Sequence, residues 1–132
     1  MQKDRDDLLG NEYSILISDR NPNIRKLLQR ELIADGYRVF QARNGNEVIR
    51  FIRNMDNLDL LVLDSDLSDI SFSSLQTAVQ EKMPGLPVIL HGYNEPNNFP
   101  KKSINSVFIE KGSNSIEQVK RTALGLIRKT SE

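Results

Sequence analysis

The 132-residue sequence contains no cysteine, and its 18 lysine and arginine residues balance 18 aspartate and glutamate residues. The lack of cysteine excludes disulfides, thiolate metal sites and a cysteine nucleophile. A net charge of zero gives no electrostatic reason to expect direct binding to nucleic acid or to an anionic membrane. No apolar run approaches transmembrane length, and the N-terminus lacks the apolar core of a signal peptide. We therefore expect a cytoplasmic protein.

Two signatures of small-molecule chemistry are also missing. Residues 19–23, which follow the first apolar run, include no glycine that would allow close approach of a nucleotide phosphate. No serine lies in a nucleophile elbow. These absences disfavour a small α/β enzyme and a small-molecule-binding module, so we expect a protein that is not a conventional enzyme.

Short apolar runs alternate along the chain with segments of helical period. The clearest run, residues 60–63, is apolar throughout, as are strands buried on both faces of a parallel sheet. The alternation predicts an α/β fold, a doubly wound five-stranded parallel sheet with right-handed crossovers. We expect residues 1–11 to form a flexible N-terminal tail and residues 12–132 to form one domain. The predicted strands are residues 13–18, 37–42, 58–63, 87–90 and 106–109.

The segment between the fourth and fifth predicted strands departs from this alternation. Residues 94–100 contain Pro96, Pro100 and three asparagines. An interior proline costs a helix about 3 kcal/mol. We therefore expect the fourth helix to be short or disrupted.

Charged residues stand at three predicted strand ends. Asp19 follows the first strand and Lys111 follows the fifth, while Asp64 follows the third, with Asp66 two residues later. The carboxyl ends of parallel strands share one edge of the sheet, where open α/β sheets bind their ligands. The sequence therefore predicts that Asp19, Asp64 and Lys111 face one crevice, and this set of charges indicates phosphoryl chemistry.

The order and spacing of these motifs resemble the receiver domain of two-component response regulators over residues 13–128. That family has a flavodoxin-like (βα)5 topology and acts in phosphorelay signal transduction, and the resemblance implies both for this chain. The matching segments are residues 15–25 (ILISDRNPNIR), 64–69 (DSDLSD), 87–90 (PVIL) and 108–111 (FIEK).

The resemblance also implies a role for each strand-end residue. Asp64 takes the position of the phospho-acceptor, which receives a phosphoryl group from a histidine kinase or a histidine phosphotransfer protein. Asp19, Asp64 and the backbone carbonyl of Asp66 match the ligands of Mg²⁺, which prefers oxygen atoms. Lys111 matches the lysine that pairs with the phosphoryl oxygens. A downstream protein partner is implied as well, but the sequence does not identify it.

The first departure from the family pattern is Arg20, which stands where the family has a second acid. A cation there removes one attraction for Mg²⁺ and adds repulsion if its side chain points inward, so we expect Mg²⁺ to bind weakly. Two orientations of Arg20 are open. Its guanidinium can pair with Asp64 or Asp66 and partly replace the charge of the metal, or it can point to solvent.

The second departure lies at the end of the fourth strand, where the family has a serine or threonine whose hydroxyl bonds the phosphoryl group. Counting from Pro87 puts Gly92 at this position, and a shift of one residue puts His91 there. Neither carries a hydroxyl. His91 is the residue most suited to titrate near neutral pH, so it can contact phosphate or donate a proton, or it can be a structural strand-end histidine.

Two functions therefore compete. In the first, the chain is a receiver domain that is phosphorylated on Asp64, which the presence of Asp19 and Lys111 favours. In the second, it is a pseudo-receiver, an interaction module that works without phosphorylation, which Arg20, Gly92 and the disrupted fourth-helix region favour. The first explains why the acceptor and its two partners occur together.

Overall fold

Five strands and four helices make up the described part of the chain, residues 13–131 of a computed structural model. The predicted tail of residues 1–11 lies outside the described residues. The strands are β1 (Ser14–Ser18), β2 (Arg38–Ala42), β3 (Leu60–Asp64), β4 (Val88–Gly92) and β5 (Ser106–Glu110). The helices are α1 (Pro22–Ala34), α2 (Gly45–Asn54), α3 (Phe72–Lys82) and α4 (Ser115–Ser131).

All five strands are parallel, and their order in the sheet is β2-β1-β3-β4-β5. The chain therefore moves outward from β1 to β2 and then returns to the other side of β1 with β3. Crevices in open α/β sheets form where the order reverses in this way, here at the carboxyl ends of β1 and β3. The predicted α/β fold and parallel sheet are confirmed.

The core consists of two apolar layers, one on each face of the sheet. Leu61 and Leu63 of β3 pack towards α2 and α3, whereas Leu60 and Val62 pack towards α1 and α4. Side chains that alternate along a strand point to opposite faces, and here both faces are covered by helices. This is why residues 60–63 are apolar without interruption.

The helix starts are fixed by side chains that accept backbone hydrogen bonds. Asn21 caps α1 by accepting from Asn23 N, and Asn44 caps α2. The carboxylate of Asp69 also accepts from the backbone N–H of Gly45, at 2.9 Å, and joins α2 to the loop after β3. Such caps satisfy donors that the helix itself leaves unpaired.

Three strands end later than their apolar runs predict, β5 by one residue at Glu110. β3 includes Asp64, and β4 continues through His91 to Gly92. Asp64 lies opposite His91 in the ladder, and Gly92 lies opposite Glu110. The ladder uses backbone groups only, so polar side chains at a strand end do not terminate it.

Between β4 and β5 the described chain contains no helix, which confirms the predicted disruption. The segment of residues 93–105 is held instead by two buried side chains, Phe99 and Ile104. Phe99 is 5% exposed, and its ring packs edge-on against Phe72 at the start of α3, with 5.1 Å between centroids. Apart from one hydrogen-bonded turn at residues 100–104, packing of these apolar side chains thus takes the place of a helix in this segment.

Phe99→Ala should lower the free energy of unfolding by about 3 kcal/mol, because it removes a buried ring and leaves a cavity beside Phe72. Urea denaturation measures the loss. The control is Asn98→Ala at the exposed neighbour, where we expect a change within about 0.5 kcal/mol. Equal, small effects of both substitutions would show that Phe99 does not anchor the segment.

Candidate functional site

Three charged side chains meet at the carboxyl edge of the sheet. Lys111 Nζ lies 3.1 Å from Asp19 Oδ2 and 3.6 Å from Asp64 Oδ1. Both carboxylates are fully buried, and the Lys111 side chain is 6% exposed. β4 lies between β3 and β5 in the sheet, so only a long side chain on the β5 side can reach Asp64. The structure thus brings Asp19, Asp64 and Lys111 together in one crevice.

The carboxylate of Asp64 is held by backbone N–H groups from two loops. Arg20 N donates to Oδ2 at 3.0 Å, and Asp66 N donates to Oδ1 at 2.9 Å. The strand behind it is tied to β1 through the buried Ser18 hydroxyl, which accepts from Asp64 N and donates to Val62 O. Asp64 is therefore fixed in position, with an oxygen atom directed at Lys111.

Arg20 makes an ion pair with the same carboxylate. Its Nε lies 3.5 Å from Asp64 Oδ2, while 54% of the Arg20 side chain remains exposed. Of the two orientations open from the sequence, the structure has the inward one, with Asp64 rather than Asp66 as the partner. Arg20 therefore places a second positive charge at the site.

The carboxyl of Asp19 has a raised pKa and is therefore harder to ionise than an ordinary aspartate. Burial raises the pKa of its carboxyl, and the charge of Asp64 raises it further, while the backbone N–H of Asn21 and the Lys111 ammonium act in the opposite direction. Two buried carboxylates share one buried ammonium, and the second cation, Arg20, is about half exposed, so negative charge is in excess in the buried part of the site. A further cation would relieve this excess.

Asp66 directs its carboxylate away from the other two acids. Oδ2 of Asp66 accepts from Tyr93 N at 3.2 Å, just beyond β4. Accordingly, no group of three or more histidine, cysteine, aspartate or glutamate side chains suited to a metal occurs among residues 13–131. If Asp66 contributes a metal ligand in this arrangement, it does so through its backbone carbonyl.

The two residues at the end of β4 have different roles. Gly92 lies at the crevice and has no side chain, and a Cβ at this position would overlap the hydroxyl of Ser65. His91 is buried, and its Nε2 lies 2.9 Å from Ser115 Oγ at the start of α4. Burial lowers the pKa of His91 to about 4, and Lys111 contributes in the same direction while Asp64 opposes it. The imidazole is therefore neutral at neutral pH and joins β4 to α4.

Three residues at the site are not predicted by the sequence. Ser65 lies beside Gly92, and Ser115 bonds His91. Tyr93 donates its backbone N–H to Asp66, and the Lys111 ammonium lies 5.3 Å from the centre of its ring. A serine that follows the acceptor and a tyrosine that follows a glycine do not form a recognisable sequence motif. Their roles arise from packing between distant segments.

Comparison with known proteins identifies the family. The model of the response regulator receiver domain matches residues 15–123, most of the chain. The chain belongs to the response regulator receiver domain family. As a receiver domain it is a signalling domain of two-component systems.

Similar proteins agree with this assignment. The domain is 33% identical over 76 residues to the transcriptional regulatory protein GlrR of Escherichia coli K12, an alignment that covers 58% of the domain and 17% of GlrR. It is 31% identical over 97 residues to the sensor protein EvgS of Escherichia coli O157:H7, covering 74% of the domain and 8% of EvgS. The receiver domain thus spans only a small part of the curated relatives that it matches.

Among solved structures, the response regulator TrrA of Thermotoga maritima, in complex with Mg²⁺-BeF, superposes with a TM-score of 0.73 at 26% identity. The superposition covers 87% of this receiver domain and 99% of the TrrA chain. None of the helices described for this domain has the length and apolar character needed to cross a bilayer.

The buried His91 gives this receiver domain a pH-dependent stability. Below its ordinary pKa of 6.5 the unfolded chain binds a proton at His91, whereas the folded domain does so only near pH 4. The free energy of unfolding contributed by neutral His91 is therefore lost as the pH falls from 6.5 towards 4. By about pH 5 the loss is on the order of 2 kcal/mol.

His91→Gln, which does not titrate, should lack this loss. Urea denaturation at about pH 7 and pH 5 measures the difference in the free energy of unfolding between wild type and variant, and we expect it to shift in favour of the variant at the lower pH. Asp19 titrates in both proteins, so its contribution largely cancels. A difference that does not change with pH would contradict the assignment of a neutral, buried His91.

Proposed function

We propose that residues 12–132 form one receiver domain that accepts a phosphoryl group on Asp64 from a histidine kinase or a histidine phosphotransfer protein. The observation that carries this proposal is the Asp64 carboxylate itself. It is buried at the end of β3, held by two backbone N–H groups, and 3.6 Å from the Lys111 ammonium. A carboxylate fixed in this way is oriented for in-line attack.

The transfer follows from these contacts. A carboxylate oxygen of Asp64 forms a bond to phosphorus while the bond from phosphorus to the donor's imidazole nitrogen breaks. The electron pair of the broken bond stays on that nitrogen. The nitrogen takes up a proton from solvent when the other ring nitrogen does not already carry one. Charge spreads over the phosphoryl oxygens during the transfer, so it depends on positioning and on neutralisation of charge. Lys111 supplies a positive charge next to the reacting oxygen and binds the phosphoryl group afterwards.

Mg²⁺ fits the donor set of the site. Asp19 and Asp64 share a single buried ammonium, so a cation that displaces the half-exposed Arg20 would meet negative charge that it can offset. The backbone carbonyl of Asp66 would be a third oxygen ligand. When bound, Mg²⁺ neutralises charge on the phosphoryl oxygens. TrrA, the related regulator, forms a complex with Mg²⁺-BeF. Because Arg20 is paired with Asp64, we propose that Mg²⁺ binds weakly here.

The Arg20–Asp64 ion pair is also the one contact that favours a phosphorylation-independent pseudo-receiver. In that case the guanidinium would permanently occupy the place of a metal and Asp64 would be unreactive. The pair is long, however, at 3.5 Å, and more than half of the Arg20 side chain is exposed. An incoming phosphoryl group can therefore displace the guanidinium into solvent.

Incubation with Mg²⁺ and acetyl phosphate should add the mass of one phosphoryl group to the protein, as measured by intact mass spectrometry. Asp64→Asn should abolish the addition. Asp56→Asn, an exposed aspartate in the loop before β3, is the matched control and should be phosphorylated like wild type. An unmodified wild type, or an adduct that persists in Asp64→Asn, would refute Asp64 as the acceptor.

Arg20→Asp should tighten Mg²⁺ binding by roughly tenfold or more, because it replaces a repelling charge beside Asp64 with an attracting one. Calorimetric titration with MgCl₂ measures the affinity. Arg50→Asp makes the same change of charge at an exposed position on α2 and controls for the overall field of the domain. Equal tightening in the two variants would mean that Arg20 does not act locally.

A further inference from the structure

Ser65 carries a buried hydroxyl with no hydrogen-bond partner among the residues that the structure describes. The residue directly follows the proposed acceptor Asp64 and is 8% exposed. Buried polar side chains are nearly always paired, so an unpaired one at a site calls for a functional explanation. Nothing in the proposed function so far uses this hydroxyl.

The position of the hydroxyl is set by Gly92. A Cβ added at Gly92 would overlap Ser65 Oγ, so Ser65 fills the space in which any side chain at the end of β4 would begin. Ser65 and Gly92 are therefore complementary in shape. Glycine at 92 makes room for a hydroxyl that comes from the β3 side of the crevice rather than from β4.

The backbone of Ser65 is also fixed, directly after the reactive Asp64. Ser65 N donates to His91 O at 3.1 Å, which ties the residue to the end of β4. The next residue, Asp66, donates its own N–H to Asp64 Oδ1 and accepts from Tyr93 N. The Ser65 backbone thus lies among the groups that surround the acceptor on the β3 and β4 sides.

We propose that the Ser65 hydroxyl is a ligand of the phosphoryl group on Asp64 and replaces the hydroxyl that position 92 cannot supply. This inference rests on the proposed function. A phosphoryl group brings acceptor oxygens to the residue next to Ser65, and a hydrogen bond to them would satisfy the hydroxyl that is unpaired before transfer. The phosphorylated state is then sensed by the turn after β3 instead of by β4.

The test uses the full chain and beryllium fluoride with Mg²⁺ as the probe, a mimic of the phosphoryl group on a carboxylate. Ser65→Ala should weaken its binding roughly tenfold, the size expected for a lost hydrogen bond to a charged group. The thermal midpoint without beryllium fluoride should stay unchanged or rise, because the substitution removes an unpaired buried hydroxyl. A purely structural role would instead lower the midpoint and leave the affinity alone.

Two double variants decide whether the hydroxyl itself matters. Ser65→Ala combined with Gly92→Ser moves the hydroxyl to β4 and should restore the affinity to near wild type. Ser65→Ala combined with Gly92→Ala differs from it by one oxygen atom and should remain weak. This comparison holds even if Ser65→Ala alone lowers the stability of the domain.

Failure of this inference can be told apart from failure of the proposed function. Wild type that binds beryllium fluoride, together with Ser65→Ala that binds it equally well, would overturn the role of Ser65 alone. Equal affinities of the two double variants would do the same. Absence of binding by wild type would overturn both the proposed function and the role of Ser65.

Discussion

The ammonium of Lys111, enclosed with the carboxylates of Asp19 and Asp64, joins the ends of three strands that are far apart in sequence. Two buried carboxylates repel each other and resist ionisation unless a cation lies between them. That cation comes from the far side of β4, so the site exists only in a sheet with this strand order. The site thus requires three things at once: this strand order, two buried acids and a cationic side chain as long as lysine.

Two cations of the chain itself face this crevice. Lys111 is buried, while Arg20 approaches Asp64 from the solvent side. An exposed arginine can leave the carboxylate at small cost, whereas the buried lysine cannot. Arg20 can therefore make way for a metal or a phosphoryl group, whereas Lys111 remains in place as the fixed counter-charge.

Much of the fold could be predicted from the sequence because its signals are local. The uninterrupted apolar run of residues 60–63 indicates a parallel sheet, and Pro96 and Pro100 predict that the helix after β4 is short or disrupted. The meeting of Asp19, Asp64 and Lys111 follows from parallel strands alone. The contacts of Ser65 with Gly92 and of His91 with Ser115 could not be predicted, since each depends on how separate segments pack. The sequence indicates that position 92 lacks a hydroxyl, but not which neighbour fills the space.

The segment of residues 93–105 has a consequence for how the domain opens. Its internal backbone hydrogen bonds are short-range, from the N–H groups of Lys101, Ser103 and Ile104 to Phe99 and Pro100. Segments with few protected amides exchange their hydrogens through local fluctuations that leave the rest of the protein folded. Phe99 and Ile104 are the two buried side chains that hold this segment against the sheet. The order of this segment thus depends on two side chains, whereas that of the neighbouring sheet depends on continuous ladders of backbone hydrogen bonds.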